Sequence, residues 1–186
     1  MKSRLTQKAL LYLLVSVLLI LVYPLDLYFP TGNQCIYFFW GIKNSGFGFL
    51  EHDFLVTQAD PFPLFSWLVQ YSYSLFGSIS FLFWYWLLNL VYVIAVFEIA
   101  EEVSKQLSLK LNKLLFAVFF FFVNSTFIWG FFFSRFFNLD LRWVWDSGFA
   151  EQGILRGYFQ PSVFGVFILL SVALFAKKRF LLAFVS

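Results

Sequence analysis

The stretch ISFLFWYWLLNLVYVIAVFEIA, residues 79–100, decides the class of the fold. An apolar run of this length fits the roughly 17–25 helical residues that cross a hydrocarbon core about 30 Å thick. Working outward from it, three further runs invite the same test: Ala9 to Tyr23, Leu114 to Phe133 and Pro161 to Ala176. The first and last are short and borrow neighbours. The first reaches back past Lys8, whose ammonium is expected to snorkel outward. A fifth run, Phe180 to Val185, follows close behind the fourth. Composition agrees, because 61% hydrophobic and 12% charged residues, with a mean hydropathy of +0.81, leave too little polar surface to cover a water-soluble particle. The expected architecture is all-α: a polytopic membrane helix bundle of about four spans, forming one transmembrane domain over residues 1–186.

Charge then orients the bundle, since loops retained in the cytoplasm keep Lys and Arg. An inner N-terminus collects Lys2, Arg4 and Lys8, then Lys105, Lys110 and Lys113, then Lys177, Lys178 and Arg179 on one side. The outer loops, 24–78 and 134–160, keep only Lys43, Arg135, Arg142 and Arg156 but hold most of the acids: Asp26, Glu51, Asp53, Asp60, Asp140, Asp146 and Glu151. The net charge of +3 therefore reflects topology, and no basic patch interleaved with aromatics points to nucleic acid. VYPLDLYFP after the first run lacks a small-residue cleavage pattern, so a retained signal-anchor is expected. The expected setting is a membrane with the N-terminus on the cytoplasmic side. Cys35 is the only cysteine, which excludes an internal disulfide and a cysteine metal cage. Asn124-Ser125-Thr126 matches a glycosylation acceptor but falls inside a predicted span, where its polar groups are expected to hydrogen-bond a neighbouring helix.

The first outer loop is too long for a simple connector and too aromatic for disorder. Asp60-Pro61 reads as a helix start, with Asp60 as the cap, and Gly77 as its stop. Between them, PFPLFSWLVQYSYSLF carries Ser66, Gln70 and Ser74 at i+4 spacing, which predicts an amphipathic helix over Phe62 to Phe76 lying in the membrane interface. Trp67, Tyr71 and Tyr73 suit headgroup depth, and Trp40, Trp84, Trp86, Trp129, Trp143 and Trp145 read as belt residues. The phenylalanine runs, FFFF at 119–122 among them, read as lipid-facing. No histidine lies in a predicted span, so axial ligation of a haem from the bundle is unsupported.

Chemistry, if the chain performs any, concentrates in GFGFLEHDFLVTQADPFPLFS, residues 46–66, which holds Glu51, the single histidine His52, Asp53 and Asp60. A carboxylate held at the membrane surface beneath aromatic rings loses solvation and becomes a better general base. His52 could serve as a second proton carrier or a partial metal ligand, although no local spacing here makes a metal site. The plainer reading is that these acids mark the translocated side and face water. The second outer loop, SRFFNLDLRWVWDSGFAEQGILRGYFQ, sets Arg135, Arg142 and Arg156 among Asp140, Asp146 and Glu151. A planar guanidinium suits a phosphate, and equally suits structural pairing with those acids.

In layout, a basic start, one span, a large acid-bearing outer loop with a surface helix, and then further spans, the chain resembles the N-terminal part of the C-type membrane glycosyltransferases. LEHDFLVTQADPFPLFS and GYFQPSVFGVFILL also look similar to stretches of large bacterial multi-pass proteins of unknown function, cyanobacterial ones among them. The glycosyltransferase resemblance implies transfer of a sugar from a polyprenyl-phosphate donor. Asp53 or Glu51, with His52, would then activate the acceptor, and Asp60, Arg142 or Arg156 would hold the donor. Such enzymes have many more spans, so either a continuation of the chain or a small protein keeping only the front module is expected. The alternative is a non-catalytic multi-pass protein, a scaffold or transporter subunit, which the lack of a charge in the middle of any span supports. Cofactors are not specified by any motif.

Overall fold

The structure, a computed structural model, describes residues 2–22, 33–46, 50, 52–138 and 161–185. These residues are helical throughout their regular parts, with no strand among them. The helices are α1 (Lys2–Val22), α2 (Asn33–Asn44), α3 (Phe54–Thr57), α4 (Pro63–Phe76), α5 (Ile79–Gln106), α6 (Lys113–Asn124) and α7 (Thr126–Phe137). A 3-10 turn at Pro161–Phe164 leads into α8 (Gly165–Ala176), and α9 (Phe180–Val185) follows. Among the described residues one helix, α5, is long and apolar enough to cross a membrane. At about 1.5 Å per residue it extends about 42 Å. Residues Thr6–Leu21, Lys113–Asn124 and Gly165–Ala176 form shorter apolar helices.

The chain divides into two compact units: Met1–Pro24, Trp86–Ile154 and Phe164–Ser186 form one, Leu25–Tyr85 and Leu155–Val163 the other. In the first, Tyr12, Val15 and Leu19 recur at helical spacing along one side of α1 and pack on Val93 and Phe97 of α5 and Ala117 and Phe120 of α6. The Phe97 ring meets Tyr12, Phe116 and Phe120 edge-on, with centroids 5.0, 4.9 and 5.8 Å away, a favoured aromatic arrangement. The opposite side of α1, Leu10, Leu13, Leu14, Val17, Leu18 and Leu21, is exposed.

The single span expected over Leu114 to Phe133 is instead two helices, broken at Ser125, whose φ of −85° and ψ of 79° leave the helical region. Side chains cause the break. Asn124 Nδ2 donates to the Phe120 carbonyl at 2.8 Å and Ser125 Oγ to that of Phe121 at 2.6 Å, occupying acceptors that continuing helix would use. Asn124 Oδ1 also accepts from the Tyr92 hydroxyl at 3.1 Å, so this polar group does reach the neighbouring α5. At the other end of α6, Asn112 Oδ1 accepts from the Leu115 amide at 3.2 Å and caps the helix.

In the second unit α4 lies on α2. The helix starts at Pro63, two residues later than a cap at Asp60 requires, because Asp60 Oδ1 accepts from the Phe62 amide at 2.8 Å and closes a tight turn before the helix. Gly77 ends the helix as expected, with φ 61° and its amide on the Tyr73 carbonyl at 2.9 Å. Two members of the polar stripe turn inward, while Ser74 stays exposed with its hydroxyl on the Gln70 carbonyl. Ser66 is buried and Gln70 Nε2 donates to the Asn44 carbonyl at 3.0 Å, satisfying the open end of α2. Gly41 is required at this crossing, because a Cβ there would lie 2.6 Å from the Ser66 carbonyl oxygen and from Val69. The exposed face of α4 is Leu64, Trp67, Tyr71 and Leu75.

Candidate functional site

The acid-rich segment was the first candidate. Leu50, Val56 and Trp40 form a small core, so Trp40 is an interior residue and not a belt residue. Trp40 Nε1 donates to the Gln58 carbonyl at 3.3 Å, and Lys43 Nζ to the Val56 carbonyl at 3.2 Å. Both anchors come from α2 and grip main chain at and just after α3, the short helix that follows His52 and Asp53. His52 is exposed and Asp53 half-buried ahead of α3, while Asp60 is engaged in the turn before α4. Glu51, Arg142 and Arg156 lie outside the described residues. No group of three His, Cys, Asp or Glu side chains able to hold a metal occurs among the described residues.

A second cluster, not anticipated as a site, lies in the first unit. Glu98 and Glu101, one turn apart on α5, are only 14% and 15% exposed. Lys8 of α1 reaches both, at 2.6 Å from Glu98 Oε1 and 3.1 Å from Glu101 Oε1. Lys113, at the start of α6, lies 2.7 Å from Glu101 Oε1, and Lys177, just after α8, pairs with Glu98. The Tyr12 hydroxyl, one turn after Lys8, donates to Glu98 Oε1 at 3.3 Å. Lys8 was expected to snorkel outward; it turns inward because two carboxylates offer better compensation than interfacial water. Three lysines against two glutamates leave the network at +1. Burial, reinforced by Lys8 and Arg179 nearby, pulls the Lys177 ammonium below the usual lysine range.

No protein family, curated protein or solved structure matches the chain.

Function therefore rests on geometry alone. The network joins the start of α1, the end of α5, the start of α6 and the end of α8, so four helix ends meet at one place. It contains ions that are already matched to one another, and what it can do chemically is hold those ends together. Local spacing could have hinted at it: two acids at i and i+3 closing a greasy run ask for cationic partners from elsewhere. Of the partners, Lys8 and Tyr12 lie more than eighty residues away in α1 and carry no local signal.

Proposed function

We propose that the chain is an integral membrane protein, a multi-pass helix bundle with a non-catalytic, scaffolding role. The observation that carries this is an inverted distribution of polarity. On α4 Ser66 is buried and Gln70 bonds the end of α2 while Leu64, Trp67, Tyr71 and Leu75 face out. On α1, Lys8 and Tyr12 turn toward Glu98 while Leu10, Leu13, Leu14, Leu18 and Leu21 face out. A surface of this kind is unfavourable in water and natural in lipid. Convergence of Lys8, Lys113 and Lys177 supports the placement of these three segments on one membrane face, the cytoplasmic one by the excess of bases. The test is alkaline extraction of membranes from expressing cells, followed by cysteine labelling after Cys35 has been replaced. The protein should stay in the pellet, and a cysteine at Ser108 should resist an impermeant reagent added from outside. Release at high pH would refute integration, and labelling from outside would refute the orientation.

Sugar transfer from a polyprenyl-phosphate donor remains a second reading, supported by the half-buried Asp53 directly ahead of a short helix that Lys43 and Trp40 hold through the Val56 and Gln58 carbonyls. In membranes supplied with a labelled lipid-linked sugar, Asp53→Asn should abolish transfer without altering insertion. Absence of transfer with the unaltered chain would remove this reading.

A further inference from the structure

The α8–α9 hairpin is the feature that the scaffold leaves unexplained. Its two helices flank an open apolar groove of about 440 Å³, lined by Val172, Phe175, Phe180 and Phe184 together with Ser171 and Ala183. The Ser171 hydroxyl donates to the Ala183 carbonyl at 2.9 Å, so the groove presents almost no polar group of its own. Directly at one end lies the turn Lys177-Lys178-Arg179. Lys178 takes a left-handed conformation, φ 60°, with its amide on the Phe175 carbonyl at 2.8 Å and that of Arg179 on Leu174 at 2.9 Å. This geometry separates three consecutive bases: Lys177 goes inward to Glu98, while Lys178 and Arg179 stay exposed.

Among the described residues neither exposed base has an acid to answer it. Glu98 and Glu101 are already shared among Lys8, Lys113 and Lys177, and Glu102 holds Lys105 at 2.9 Å. Among the described residues Lys178 and Arg179 make no ion pair, and the adjoining network carries a further positive charge. An apolar groove ending at a cation pair is complementary to an amphiphile with a negative head.

We propose that this hairpin is a binding site for an anionic phospholipid, with an acyl chain in the groove and the headgroup phosphate between Lys178 and Arg179. The inference rests on the membrane reading above and adds a ligand class to it. The occupant is a lipid because the groove and the cations are contiguous; a soluble anion would use only the second of them. Arginine suits the phosphate by its planar donor fork, and lysine adds a flexible charge.

The experiment uses the whole chain in nanodiscs of phosphatidylcholine mixed with phosphatidylglycerol, with retained lipids counted by native mass spectrometry after release. The unaltered protein should retain phosphatidylglycerol over phosphatidylcholine. K178Q/R179Q, both in an exposed turn, should lose that preference by roughly thirtyfold, the effect of two basic residues at a lipid surface. Val172→Trp, which fills the groove, should lower retention of both lipids. Inorganic phosphate at matched ionic strength should leave phosphatidylglycerol bound. An unchanged lipid ratio in K178Q/R179Q, or displacement by inorganic phosphate, overturns the site. Alkaline extraction of the same samples separates the two failures: an inserted protein without lipid preference refutes this site alone, and an extractable protein refutes the membrane reading beneath it.

Discussion

Glu98→Gln tests the ion network where it is most constrained. The substitution keeps size and can keep the hydrogen bond from Tyr12, so what it removes is charge. Lys8 is left with Glu101 alone, Lys177 loses its partner, and the network rises from +1 to +2. At an effective dielectric of about 20, unit charges about 4 Å apart attract by about 4 kcal/mol. Glu98 is 14% exposed, and Lys8 and Lys177 are 22% and 27% exposed, so water screens part of that. Breaking a largely buried pair from one side is expected to cost about 3 kcal/mol, mostly through the cations left behind. Glu102→Gln is the control, because its partner Lys105 is 64% exposed and such a pair contributes below about 1 kcal/mol. Thermal unfolding in detergent should show a much larger loss for Glu98→Gln, partly recovered in E98Q/K177Q where one orphaned cation is also removed. Equal stability of the two single variants would refute the view that the network fastens the helix ends.

Gly41→Ala forces a methyl to within 2.6 Å of Ser66 and Val69, and should destabilise the α2–α4 pair by about 1–3 kcal/mol, read by denaturant unfolding or by protease sensitivity of that unit. Asn89 on α5 is fully buried and both of its amide atoms lack a hydrogen-bond partner among the described residues, so Asn89→Leu should raise stability by about 1–3 kcal/mol; a loss on the same thermal assay would mean that the amide has a partner in the folded protein. Asn112→Ala removes the cap of α6 and should cost about 1 kcal/mol, with faster hydrogen exchange confined to the first turn of that helix.

What could be read in the sequence followed from local chemistry. The apolar run at 79–100 became α5, Gly77 ended α4 through its left-handed backbone, and Asn124 bonded a neighbouring helix. Features that depend on what lies opposite were hidden. Ser66 and Gln70 make a polar stripe whether they face water or α2, and only the close approach at Gly41 selects the second. The run of phenylalanines reads as continuous helix, and only the competition of Asn124 and Ser125 for backbone carbonyls divides it. Phe120 belongs to the core while Phe119 and Phe122 face out, a split by helical phase that a uniform run conceals. For the acid-rich segment, the sequence located the candidates but not their surroundings. Trp40 and Lys43, which hold the short helix after His52 and Asp53, act through main-chain carbonyls that no motif records.

The ion network also implies an order of assembly during synthesis. Lys8 and Glu101 are 93 residues apart. At about 5–20 residues per second, α1 therefore waits on the order of ten seconds for its counter-ions. When Lys113 has followed, two lysines face two glutamates and the assembly is electrically neutral. Lys177 arrives last and tips it positive. A nascent chain halted before α8 should thus already hold α1, α5 and α6 together, and the hairpin would join a core that is closed in charge.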